Sequence, residues 1–193
     1  MDWSLPGWFE LISSVAGLAG VWLNTRVSVW GWPVGIFSVV LAAIVYFQNH
    51  LFAEFGLQIF YAASGFYGWM LWKNPKNGSS AGIKQISKNL LLLSLFAGTA
   101  FGLALAWLLD HYTHADFPYP DSLITGFSLV GQMWLARKYL ENWILWILVN
   151  VASVLLYIQK ELWFFSCLYL VLLFLAVKGY LDWKKKLLTH SAN

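Results

Sequence analysis

The chain has 193 residues, 60% hydrophobic and only 11% charged, with a mean hydropathy of +0.62. That balance excludes an ordinary soluble domain. At about 20 residues per membrane-spanning helix it leaves room for roughly seven helices and little else. The net charge of +3 does not point to nucleic acid, because the basic residues follow the ends of apolar runs. Cys167, the one cysteine, stands inside an apolar run, so no disulfide framework and no cysteine metal site is expected. Asp2 and Glu10 are the only charges before Arg26, the opposite of the positive start of a cleavable signal.

In chain order, apolar runs divided by polar breaks predict helices at about 8–25, 30–48, 52–73, 89–110, 121–138, 143–159 and 162–183. The longest break, KNPKNGSSAGIKQISK (Lys73–Lys88), combines turn formers with four lysines. The next, DHYTHADFPYPD (Asp110–Asp121), carries three aspartates, two histidines and two prolines, and no lysine or arginine. If the fourth helix spans, these breaks lie on opposite sides, and the positive-inside rule assigns the lysine break to the cytoplasm. Arg26, Arg137, Lys138, Lys178 and Lys184–Lys186 then fall on that side too, and of the 12 basic residues only Lys160 falls outside. The expected topology has the amino terminus outside and the carboxyl terminus in the cytoplasm.

The second half repeats the first at an offset of 111 residues. Gly20 matches Gly131, Arg26 Arg137, Trp32 Trp143, Tyr46 Tyr157, Gln48 Gln159, Gly68 Gly179 and Trp72 Trp183, with no gap. Three spans reverse the side and the fourth helix restores it, so the triplets at 8–73 and 121–183 run in the same direction, joined by the linker helix at 89–110. The expected fold is a single all-α membrane domain of seven transmembrane helices, arranged as three plus one plus three parallel repeats in the manner of the SWEET transporters. In such duplicated folds the binding site or pathway is expected between the copies.

Within ENWILWILVN (Glu141–Asn150), continuing to Tyr157, the residues Trp143, Trp146, Asn150 and Tyr157 fall on one stripe of a helix. The first repeat presents Trp32, Gly35, Val39 and Tyr46 at the same places. An unpaired amide near mid-span is costly, so Asn150 reads either as a contact to a polar substrate between aromatic walls or as a helix–helix hydrogen bond. The tryptophans also suit an interfacial belt, although an indole face equally stacks on a planar heterocycle or a cation. The third helix offers Gln58 and Tyr61 above Gly65, Gly68 and Trp72; its counterpart carries Tyr169 above Ala176, Gly179 and Trp183. Gln58 and Tyr169 occupy equivalent positions, and Gln132 is a third polar candidate.

No carboxylate stands near the middle of a run, which favours passive facilitation over ion coupling. No catalytic residues, cofactor, metal site or nucleotide motif is expected, and the chain does not read as an enzyme. A non-transporting membrane binding subunit is the different-class alternative.

The stretches ARKYLENWILWILVN and LYLVLLFLAVKGYLDW resemble the second repeat of the PnuC family of bacterial vitamin transporters. WGWPVGIFSVVLAAIVYFQ and LQIFYAASGFYGWMLW resemble its first repeat, and the likeness covers roughly residues 8–186. It implies an inner-membrane homotrimer that lets an unphosphorylated vitamin precursor diffuse across the bilayer, trapped inside by a separate cytoplasmic kinase. The family's usual substrate is nicotinamide riboside; thiamine, then riboflavin, are the alternatives. Carried onto this sequence, the likeness implies substrate contacts at Trp143, Trp146 and Asn150, with Gln58, Gln132 and Tyr169 as further members.

Overall fold

A computed structural model describes residues 5–48, 52–74, 82–113 and 116–191. Asp2, His50, Lys76 and His114, with the side chains of Glu54 and His190, lie outside the described residues. Among the described residues seven α-helices form: α1 Leu5–Thr25, α2 Gly31–Gln48, α3 Phe52–Lys73, α4 Lys88–Tyr112, α5 Pro118–Ala136, α6 Asn142–Gln159 and α7 Trp163–Ser191. Four of them, α2, α4, α6 and α7, are long and apolar enough to cross a membrane. Each expected run is a helix, with shifts of one to three residues at several ends and of eight at the end of α7. α5 starts before residue 121 because Pro118 and Pro120 sit inside its first turn, where proline's missing N–H costs nothing. α7 runs on to Ser191, because Lys184–Leu188 are good helix formers.

The chain divides into two compact units, Met1–Ala81 and Gly82–Asn193. In the first, α2 packs against both α1 and α3. α1 and α2 cross closely at glycine: a Cβ on Gly20 would sit 3.1 Å from the Gly35 nitrogen. Two serines bind the same crossing, Ser13 Oγ donating to the Ser38 carbonyl at 2.9 Å and Ser38 Oγ to the Ser13 carbonyl at 2.7 Å. Such polar bonds between helices join surfaces that hydrophobicity alone does not drive together in lipid.

In the second unit α4 packs on α5, α5 on α6 and α6 on α7. α4 and α5 are antiparallel, for Gly98 faces Val130 and Phe127 whereas Gly102 faces Leu123. Lys88 therefore lies at the Ala136 end of α5, and Asp110 at the Pro118 end. Residues 82–87 return along the α5–α6 turn. Lys84 N–H donates to the Lys138 carbonyl at 3.1 Å, Leu140 N–H to the Lys84 carbonyl at 2.9 Å, and Ile86 N–H to Glu141 Oε2 at 3.0 Å. At the opposite end Lys160 pairs with Asp121 at 2.9 Å, so the one basic residue misplaced by the sequence rule is neutralised by an acid.

The offset of the sequence repeat recurs as local geometry. Trp32 meets Trp72 edge to face at 5.4 Å and 86°, and Trp143 meets Trp183 at 5.5 Å and 86°. The α1–α2 and α5–α6 turns share their hydrogen bonds. Val27 N–H donates to the Asn24 carbonyl as Lys138 N–H does to Leu135, and Ser28 N–H to Leu23 as Tyr139 N–H does to Trp134. Both turns place a non-glycine residue in the left-handed region, Val27 at φ 62° and Lys138 at φ 58°, where a helix stop normally uses glycine. Lys73 lies over Trp69 as Lys184 lies over Tyr180.

Of the many differences between the two halves, three concern helix contacts. Gly35 of the first becomes Trp146, and the bonded serines 13 and 38 become Ile124 and Val149. At the helix turn, the Asn24 side chain fills the space beside Gly31, whereas the second copy has Leu135 in the place of Asn24 and Asn142 in the place of Gly31.

Candidate functional site

α6 carries the most chemistry. It opens at Asn142, fully buried, whose Nδ2 donates to the Tyr139 carbonyl while its Oδ1 has no partner among the described residues. Trp143, 2% exposed, wedges between α6 and α7, with its edge on Trp183 and its face on Gly179. Trp32 stands in the same relation to Trp72 and Gly68 in the first unit. The indole N–H of Trp143 and that of Trp32 are both buried with no acceptor among the described residues. A donor left unmet in this way costs about 1–3 kcal/mol. The two tryptophans thus serve first as helix wedges, each with a spare donor.

Trp146 is part-buried on α6 and rests against Gly131 of α5, where a Cβ would approach its ring to 3.2 Å. The glycine that closes the α1–α2 crossing in the first copy is here an indole, so the second copy places an aromatic surface where the first has backbone contact. One turn further along, Asn150 is 3% exposed and its amide makes no hydrogen bond to any described residue. The helix–helix bond that would have explained it is absent among those residues. Ser153, next on this face, satisfies its own hydroxyl on the Val149 carbonyl at 2.9 Å.

Gln132, part-buried on α5, follows the glycine that Trp146 covers. Tyr169, on α7, stacks on Tyr157 of α6 at 5.2 Å and 18°, and Tyr157 stacks in turn on Phe165 at 5.5 Å and 27°. This three-ring pile was not foreseen: the alternation of helical faces marks Tyr157 and Tyr169 but not the turn that stacks them. Gln58 and Tyr61 lie part-buried on α3 of the first unit with Trp32 on α2. The second unit thus gathers Trp143, Trp146 and Asn150 on one helix, with Gln132 and Tyr169 on the helices packed against it. Ser122, 1% exposed, has a hydroxyl with no partner among the described residues.

The acidic, histidine-bearing segment contributes no metal cluster among the described residues. His111 instead stacks on Trp107 at 5.5 Å and 5°. A separate groove of about 510 Å³ runs between α4, α5 and α6. Its wall is almost wholly apolar, and it includes none of the expected substrate contacts.

On α6 and the helices packed against it, this arrangement of flat rings, a spare indole donor and an amide suits contact with a planar polar solute. Comparison with known proteins agrees. Residues 7–185 match the family described as nicotinamide mononucleotide transporter. The nicotinamide riboside transporter PnuC of Escherichia coli (strain K12) is 28% identical, over 91% of this chain and 84% of its own. The riboflavin/roseoflavin transporter RibM of Streptomyces davaonensis is 27% identical over the same shares. A crystal structure of the vitamin B3 transporter PnuC superposes with a TM-score of 0.72 at 24% identity, covering 92% of this chain and 81% of that one, and so supports the fold. The family is one of transporters and not of enzymes, and this chain, matched along nearly its whole length, belongs to it as a multi-helix membrane transporter of the PnuC kind.

Proposed function

We propose that this chain carries unphosphorylated nicotinamide riboside across the bacterial inner membrane by facilitated diffusion, and that a separate cytoplasmic kinase traps it by phosphorylation. The observation that carries the reading is Asn150: an amide with no hydrogen bond to a described residue, on a residue 3% exposed, one turn from the indole of Trp146. A carboxamide-bearing aromatic ring offers that pair a stacking face and hydrogen-bonding groups together. Trp143, Gln132, Tyr169, Gln58, Tyr61 and Trp32 complete the proposed set of contacts. The named activity of the Escherichia coli relative supports the choice of riboside.

The proposed architecture is three plus one plus three helices, with α4 as linker and a likeness to SWEET transporters, assembled as a homotrimer. The matched tryptophan pairs and matched turns support the duplication. The amino terminus lies outside and the carboxyl terminus in the cytoplasm. Supporting this, Lys84 is tied to the Arg137–Lys138 turn, while Lys160 is paired with Asp121 at the far end of the unit. The sequence keeps carboxylates away from the middle of the helical runs, which supports an uncoupled mechanism.

Proteoliposomes containing the protein, the kinase and ATP test this reading. Accumulation of riboside phosphate is expected. Accumulation of thiamine or riboflavin phosphate alone would replace the substrate and leave the transport class intact, and the riboflavin-carrying relative makes that vitamin the second reading. Thiol labelling of single cysteines placed at residues 84 and 116 tests the topology; labelling of both from one side would overturn it.

A further inference from the structure

The groove between α4, α5 and α6 has an asymmetry of charge at its two ends. Its wall includes Leu95 on α4, Phe127 on α5, Leu148 and Ala152 on α6, and Gln159 at one end. Near Gln159 the neighbouring cation, Lys160, is already paired with Asp121 at 2.9 Å. At the other end the α5–α6 turn holds residues 82–87 by two backbone hydrogen bonds and one to a carboxylate, and so gathers Lys84, Lys88 and Arg137 at one place on the unit. The carboxylate of that turn, Glu141, is engaged by Ile86 N–H at 3.0 Å. Among the described residues, none of these three cations has a carboxylate partner; Lys84 instead lies over the Tyr139 ring at 5.0 Å.

Helix geometry joins the cations to the groove. Lys88, Leu92, Leu95 and Phe96 share one face of α4, and Leu92 and Phe96 are 65% and 73% exposed. That face carries a positive head and an apolar track, and Leu95 on it enters the groove wall.

We propose that the second unit binds an anionic phospholipid, its headgroup phosphate on Lys84, Lys88 and Arg137 and one acyl chain in the groove beside Leu95. A free phosphate would use only the cations, and a zwitterionic lipid only the groove; an anionic lipid uses both. Basic side chains at a membrane surface attract anionic headgroups in just this manner. The inference rests on the membrane placement proposed above, and concerns residues outside the proposed substrate contacts.

The test is thermal unfolding of the full-length protein in detergent with added phosphatidylglycerol, phosphatidylcholine or inorganic phosphate. Phosphatidylglycerol should raise Tm more than phosphatidylcholine, and inorganic phosphate should not raise it. Lys84→Gln combined with Arg137→Gln should remove at least half of the increment specific to phosphatidylglycerol. Ala152→Phe, which fills the groove, should remove the increment common to both lipids. An equal increment from inorganic phosphate, or a full increment retained in both variants, overturns the proposal. So does a change of oligomer size in Ala152→Phe with the lipid increment intact, because a second copy of the chain would then cover the groove. Riboside uptake failing while the lipid increment persists strikes the proposed substrate and leaves this site standing.

Discussion

Gly179 lies flat beneath the indole of Trp143, so close that a Cβ there would stand 2.6 Å from the ring. The ring cannot yield, because its edge is held against Trp183 at 5.5 Å and its side chain is 2% exposed. Gly179→Ala should therefore destabilise the second unit by about 1–3 kcal/mol, the usual cost of overpacking a filled core. Gly68→Ala, under Trp32, should do the same in the first. Thermal unfolding of each variant checks both, and a neutral result at either glycine would mean that its tryptophan has room to move.

Asn150→Leu should leave expression and melting near those of the parent, since it replaces an amide with no hydrogen bond to a described residue by an apolar side chain. Substrate affinity should fall by roughly ten- to a hundred-fold, equivalent to one lost hydrogen bond and an unpaired partner on the ligand. Isothermal titration with the riboside measures it. Unchanged affinity would remove Asn150 from the site.

Val27 and Lys138 occupy the left-handed region at φ 62° and 58°. A β-branched residue is especially strained there. Val27→Gly should stabilise the first unit by about 0.5–1 kcal/mol, the strain relieved exceeding the entropy that glycine adds to the unfolded chain. Denaturation midpoints of variant and parent decide the sign.

Burial pushes the Lys138 ammonium below the ordinary lysine value of 10.5. Its charged form thus opposes folding, and the penalty is fully present at pH values below the folded pKa. Between that pKa and 10.5 the native state sheds the proton first, so the penalty shrinks as pH rises. Lys138→Met should be the more stable protein at neutral pH, with the difference narrowing on approach to pH 10. Melting curves across that range test it; a constant difference would locate the effect in packing instead of charge.

The apolar runs and the 111-residue offset were readable in the chain because membrane helices leave little freedom in composition, and because Trp32, Gly68 and Trp72 recur unchanged as Trp143, Gly179 and Trp183. The face bearing Trp143, Trp146 and Asn150 was readable for a similar reason: it follows from spacing along one helix. What α6 faces was not. The wedge of Trp143 between α6 and α7 joins residues 40 positions apart in sequence (143 to 183), so it depends on how the two helices cross. The end of α5 was misjudged by two residues because its stop uses Lys138 where a glycine would have signalled it. The stack of Tyr169, Tyr157 and Phe165 likewise depends on a turn whose residues, Lys160 and Glu161, give no aromatic cue.

Asn24 packs beside Gly31, whereas the positions 111 residues on hold Leu135 and Asn142, so the two turns carry the amide on opposite sides. Gly31→Asn is not permissible alone, because an asparagine at 31 would collide with the one at 24. Introduced together, Asn24→Leu and Gly31→Asn should rebuild in the first copy the contact that the second already uses. A chimera joining the matched turns between residues 24 and 31 would therefore inherit either two amides in one space or none.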